Sequence, residues 1–280
     1  MRPDSSHTLT STIVLRVDSI QHLLDQFHNR SSTLHHDEAY IVTVTPDSDG
    51  LVAVVGESPA GVFYGVQTLL GLLTTDKSGR RLVVAGEVID APRFSYRGLM
   101  LDVARNFIAK DVVLRTIDSM SAYKMNRLHL HLTDDQGWRF DVPALPELTA
   151  VGARRGHDPG DLGGQRSVLP AYLGSGPSPE KATTNGGAGF YSRRDYRDIL
   201  RHAQRRHVTV IPEVDVPGHS AAAIMSVRRG RTNLTLVDAN EKLEYVGINR
   251  QKNNVMNLCL KSSLSFVEHI ITALIDLHKV

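Results

Sequence analysis

The stretch Asn126–Trp138 constrains the chain most. It reads Asn-Arg-Leu-His-Leu-His-Leu-Thr-Asp-Asp-Gln-Gly-Trp, so Leu128, Leu130 and Leu132 alternate with His129, His131 and Thr133. A period of two marks a strand with one apolar and one polar face, because successive side chains point to opposite sides. Asp134 and Asp135 follow at its C-terminal end. A strand that aims imidazoles inward and ends on acids suits a barrel enzyme, whose site opens at the C-terminal ends of its strands.

The neighbouring segments repeat a strand–helix rhythm. Gly98–Val103 is a short, nearly continuous apolar run, as expected of a strand buried on both faces. Asp111 then caps a predicted helix whose Val113, Leu114, Ile117, Met120 and Tyr123 form one stripe. Strand, helix and strand with short links imply a parallel pair. Ser192, with Asp195 three residues on, opens a second helix buried through Tyr196, Ile199, Leu200 and Ala203. His207–Val214 is the third strand and runs into Glu213-Val-Asp215-Val-Pro-Gly-His219. Leu145–Val151, Ser220–Val227 and Ser265–His278 read as further helices, and the long segments Gly156–Gly189 and Arg228–Asn254 lack a period.

Residues 1–92 read as a separate small α/β unit. Its strands are expected at Thr12–Val17, Ala39–Thr45, Leu51–Val55 and Val83–Ile89, with a helix opening at Ser58-Pro59. The boundary falls near Arg93, which leaves 93–280 as the second unit. Three strand–helix rounds fall short of the eight a closed barrel needs. The pattern alone leaves two architectures, the first part of a longer barrel or an open α/β sheet.

Composition removes several function classes. The net charge is +2 over 280 residues, with Lys and Arg scattered, so no field suggests nucleic acid. No apolar run reaches the eighteen residues of a membrane span. Cys259 is the single cysteine, which excludes an intrachain disulfide and leaves the compartment open. The opening Met1–His7 has no apolar core and does not read as a signal peptide.

The polar residues offer several chemistries. His129 and His131 share a strand face and, with Asp134 and Asp135, could ligate a metal or simply form a hydrogen-bonded barrel interior. Glu213 and Asp215 share the parity of an inward face, and the Pro217-Gly218 turn sets His219 where it could meet Asp215 or Asp134. A carboxylate beside an imidazole orients the ring and tunes its proton affinity. Arg97, before the first barrel-type strand, could clamp a hydroxyl-rich or anionic substrate. Asp102 and Arg105 could form a second polar pair at that strand's tip, and Trp138 could stack on a sugar or serve packing.

Together these pieces resemble glycoside hydrolase family 20, the β-N-acetylhexosaminidases, and within it the chitobiase-like branch. The resembling segments are Ser58–Gln67, Tyr96–Phe107, Tyr123–Trp138, Leu145–Thr149 and Val210–His219, with Leu169-Pro and Gly174-Ser-Gly176 in the long loop. The resemblance implies an α/β fold: a small N-terminal α+β domain followed by the first part of a (β/α)8 TIM barrel, about three of its eight units. It implies removal of terminal N-acetyl-β-hexosamine with the substrate's own acetamido oxygen as nucleophile, no metal or organic cofactor, and an N-acetylglucosamine-containing oligosaccharide as partner. It assigns Arg97 to the sugar hydroxyls, Asp134 and His219 to support of the catalytic acid, and His131, Glu213 and Asp215 to positions behind them. One departure is large. The family's acid sits in a His-x-Gly-Gly-Asp-Glu motif on the fourth strand, whereas the only Asp-Glu here is Asp37-Glu38 in the N-terminal unit. The acid is therefore expected beyond Val280 and the chain alone is expected to be inactive. The alternatives are a truncated sugar-binding product and a metal-dependent hydrolase built on His129 and His131.

Overall fold

The structure is a computed structural model that describes residues 12–20, 22, 36–45, 50–156, 169, 172–176, 186–230, 233–240 and 254–279. Residues 46–49 and most of the two long segments lie outside the described residues. The chain divides into two compact units, Met1–Arg97 with Ser119–Asn126, and Gly98–Asp118 with Arg127–Val280.

The first unit is a four-stranded sheet with one helix. In sheet order its strands are β1 (Ile13–Val17), β3 (Val52–Gly56), β2 (Tyr40–Val44) and β6 (Gly86–Asp90). β2 pairs antiparallel with β3 and with β6, and β1 pairs parallel with β3. Helix α1 (Pro59–Leu72) starts where expected: Ser58 Oγ accepts from the N–H groups of Ala60 and Gly61, and Pro59 occupies the first turn. Tyr40, Val42, Val54, Tyr64 and Leu69 form the core between helix and sheet. The close approach depends on Gly61, where an added Cβ would lie 2.4 Å from the Ala39 carbonyl oxygen. β4 (Thr74–Thr75) and β5 (Arg81–Leu82) make a small hairpin.

The second unit is built on three parallel strands in the order β7 (Gly98–Asp102), β8 (Arg127–Asp134), β10 (Thr209–Val214). β9 (Gly137–Trp138) folds back antiparallel onto the end of β8. The helices are α2 (Lys110–Ala122), the single turn α3 (Glu147–Ala150), α4 (Arg193–Arg205), α5 (Ala221–Arg229) and α6 (Lys261–Leu277). Leu128, Leu130 and Leu132 are fully buried, as the alternation requires. Trp138 stacks on Phe140 at 5.2 Å and meets Phe266 of α6 edge-on at 6.0 Å. No helix among the described residues is long and apolar enough to cross a membrane.

Two local expectations change. β7 is not buried on both faces: Leu99 and Met100 are 37% and 51% exposed. β7 is an edge strand of its sheet, and no described strand pairs with its outer side. α2 starts at Lys110 rather than after an Asp111 cap, and Asp111 instead lies in the first turn and pairs with Arg115 at 2.8 Å. The Ser192 cap holds, with a reciprocal capping box to Asp195, and Tyr196, Ile199 and Ala203 are buried while Leu200 is only partly so.

Candidate active site

The register of the parallel sheet assembles the site. Asp102 on β7 lies level with His131 on β8, and His131 lies level with Glu213 on β10. All three sit toward the C-terminal ends of their strands, where the last residue of β8 adds Asp134 and the following turns add Arg105 and His219.

Asp134 is the centre. Its side chain is completely buried, and each oxygen has two donors. Oδ2 meets His131 Nε2 at 2.8 Å and Arg105 Nη2 at 2.7 Å. Oδ1 accepts the Asp135 N–H at 2.7 Å and meets His219 Nδ1 at 3.1 Å. Burial alone would favour the neutral acid. The His131 and Asp135 hydrogen bonds and the charges of Arg105 and His219 outweigh it, and hold the carboxyl below the usual range.

His131 is bound at both ring nitrogens, since Nδ1 lies 3.1 Å from Glu213 Oε2. Burial opposes its charge, but the hydrogen bond to Asp134 and the charges of Asp102 and Glu213 prevail and raise its pKa to about 9. It is an imidazolium clamped between two carboxylates. His129, one turn of the pleat away, is bound to the same Glu213 oxygen. Glu213 also shares a hydrogen bond with Asp215. Against burial, that bond and the histidines lower Glu213, while burial and Glu213 itself raise Asp215. The Asp215 N–H donates to Thr133 Oγ1 at 3.1 Å, which ties β10's end to β8.

Arg105 spreads its guanidinium over three acceptors: Asp102 Oδ2 at 2.7 Å, Asp134 Oδ2 at 2.7 Å and Gln136 Oε1 at 3.1 Å. It is partly exposed, at 27% of its side chain, so its remaining N–H groups can reach a ligand. Beneath it, two fully buried arginines fix the backbone. Arg139 donates to the carbonyl oxygens of Val103, Ala104, Ala153, Gly187 and Gly189. Burial pushes its pKa down to about 9, which leaves it a cation at neutral pH. Arg155 donates to the Gln136 carbonyl at 2.8 Å and to Ser175 Oγ at 2.7 Å, which attaches the loop containing Gly174-Ser-Gly176 to the site. Sequence reasoning missed Gln136, Arg139 and Arg155. The one local signal is Gly137, where a Cβ would sit 2.3 Å from Arg139 Nη2.

Two groups of side chains bring possible ligand atoms together, His131 with Asp134 and Asp215, and Asp134 with Asp135 and His219. His129 belongs to neither and is bound to Glu213 instead, so among the described residues the alternative of a metal site built on His129 and His131 gains no support. Arg105 and the imidazolium of His131 already neutralise Asp134 Oδ2, and these donors suit protons better than a metal ion. Trp138 is 1% exposed and packs rather than lining a mouth. Cys259 is free and exposed.

The catalytic-domain profile of glycosyl hydrolase family 20 matches residues 94–280, and that family's domain 2 profile matches residues 4–91. The chain belongs to glycosyl hydrolase family 20. Among relatives of this family 20 chain, a beta-hexosaminidase of Vibrio vulnificus is 41% identical over 253 residues, 86% of this chain and 28% of that protein. The N,N'-diacetylchitobiase of Vibrio harveyi is 41% identical over 244 residues, 82% of this chain and 26% of that one. The chain thus spans less than a third of these curated relatives. The crystal structure of a GH20 exo β-N-acetylglucosaminidase from Vibrio harveyi in complex with N-acetylglucosamine superposes with a TM-score of 0.76 at 30% identity. That match covers 96% of this chain and 42% of the other. The two units are a small α+β domain and the first part of a (β/α)8 barrel.

Arg97 stands apart from this cluster. It precedes the first residue of β7, at the N-terminal end of the strand, whereas the acids gather at C-terminal ends. Its guanidinium is spent on Glu38 Oε2 at 2.6 Å, the Lys124 carbonyl at 2.7 Å and the Phe94 carbonyl at 2.7 Å, over the ring of Tyr64. Arg105, at the other end of the same strand, is the arginine that meets Asp134.

Proposed function

We propose that this family 20 chain forms the first part of the active site of a chitobiase-type β-N-acetylhexosaminidase, acting on terminal N-acetyl-β-hexosamine of an oligosaccharide. The observation that carries the proposal is Asp134, an ionised carboxylate held by Arg105, His131 and His219 at the strand ends. In this mechanism the substrate's acetamido oxygen attacks its own anomeric carbon. A glutamic acid gives its proton to the leaving oxygen, and water later opens the intermediate with retained configuration, a departure from the two-carboxylate scheme. Arg105 holds sugar hydroxyls with its free N–H groups. The Asp134–His219 pair steadies the glutamic acid and tunes its proton affinity. That glutamic acid and its neighbouring aspartate belong to a His-x-Gly-Gly-Asp-Glu segment that these 280 residues do not contain.

Purified 1–280 chain is expected to leave an aryl N-acetyl-β-glucosaminide intact. The same chain continued through the acid-bearing strands of the Vibrio harveyi relative is expected to hydrolyse it, and to lose that activity with Asp134→Ala or Arg105→Ala. Arg105-dependent hydrolysis by the 1–280 chain would refute the assignment of the acid to a later strand. Turnover by the continued chain that ignores both substitutions would refute the site.

A further inference from the structure

Asp135 stands beside Asp134, but its carboxylate serves different partners. Oδ1 accepts the N–H of Ala221 at 3.0 Å, and Oδ2 accepts from Asn254 Nδ2 at 2.8 Å. Ala221 is the first residue of α5, whose N-cap Ser220 makes no side-chain cap bond. The Ser220 hydroxyl donates instead to the carbonyls of Gly218 at 2.8 Å and Asp215 at 3.2 Å. The end of β8 therefore supplies the acid that the positive end of this helix needs. Asn254 closes the ring, because its carbonyl accepts the Ser220 N–H at 2.9 Å. The Met256 N–H reaches the Pro217 carbonyl at 2.8 Å from the same segment.

His219 lies inside this ring with φ of 51°, the left-handed region that side chains with a Cβ rarely adopt. Such a conformation costs of order 1 kcal/mol or more and persists only where its surroundings over-determine it. The imidazole itself is half exposed, and its described contacts are Asp134 at 3.1 Å and Asp135 Oδ2 at 3.8 Å. Among the described residues the ring side holds the turn only through these carboxylates, and the backbone clamp supplies the rest.

We propose that Asp135 is a positioning residue: by capping α5 and gripping Asn254 it locks the Pro217–Ala221 turn so that His219 Nδ1 faces Asp134. The catalytic value of that pair rests on the function proposed above, whereas the positioning does not. The test is therefore made on ligand-free 1–280 chain. Long-range nitrogen–proton spectra of labelled histidine are recorded for wild type, Asp135→Asn and Asn254→Ala. Asp135→Asn keeps the size of the side chain but offers its two donors one acceptor fewer, and Asn254→Ala opens the ring from the opposite side. In both variants the His219 ring nitrogens are expected to move toward the positions of a solvent-exposed imidazole. The resonances of His202, held by Asp118 outside this cluster, stay in place. A merely structural role would move both sets together. Unchanged His219 signals in either folded variant overturn the proposal, and if Asp135→Asn fails to fold, Asn254→Ala decides alone.

Discussion

The doubly clamped His131 makes the stability of the second unit depend on pH in a calculable way. Its pKa is about 9 in the folded chain, against an ordinary 6.5 when unfolded. The raised value means that the folded state binds the extra proton between these limits. The stabilisation is fully present below pH 6.5 and is lost as pH rises toward about 9. A gap of about 2.5 pH units at about 1.4 kcal/mol each amounts to about 3.5 kcal/mol, with a steepest slope of about 1.4 kcal/mol per pH unit. Trp138 is the single tryptophan and is buried in the second unit, so its emission reports the unfolding of that unit. Urea titrations at steps from pH 6 to 8.5 should show wild type losing about 2 kcal/mol more than His131→Gln across the range. The glutamine can still hydrogen-bond Asp134 but cannot titrate. Parallel pH profiles for the two proteins would refute the clamped imidazolium.

Asp134 carries the opposite sign: its lowered pKa gives stability present above the ordinary carboxylate range and lost as pH falls through it. At neutral pH, Asp134→Ala strands Arg105 and His131 without their shared carboxylate and should cost about 3–5 kcal/mol in the same urea assay. Arg139→Lys cannot reach five carbonyl oxygens from one ammonium group, and a loss of about 3 kcal/mol in the Trp138 transition is expected. Arg97→Ala should lower the stability of the first unit by about 1–3 kcal/mol, since Glu38 loses its partner. In the continued chain, Arg97→Ala should leave turnover of the aryl glucosaminide within about twofold of wild type while Arg105→Ala abolishes it.

Much of the fold was legible because its signals are local. Leucines at every second position could only be a strand with one buried face, and β8 is that strand. Ser192 and Asp195 announce a helix start that the reciprocal hydrogen bonds bear out. What sequence could not carry was the exposure of β7. An apolar run says that a strand can be covered on both faces, not that its neighbours are there. The buried arginines were illegible for a related reason. Arg139 satisfies its cation with carbonyls contributed from Val103 to Gly189, and no local pattern records which loops converge on one guanidinium.

Arg97 and Arg105 show where motif matching ends and geometry begins. Both flank β7, both lie within one resembling segment, and either fork of donors could in principle hold a sugar. Strand direction separates them. In a parallel sheet with right-handed crossovers, every strand delivers its C-terminal end to the same side, and only turns on that side can meet. Arg105 follows Asp102 on that side and finds Asp134 at 2.7 Å. Arg97 enters the strand from the other end and closes on Glu38 in the first unit instead. The same rule places Asp102, His131 and Glu213 in one row and makes Asp134 the carboxylate that Arg105, His131 and His219 can share. Any acid completing this site must therefore arrive from the C-terminal end of another parallel strand.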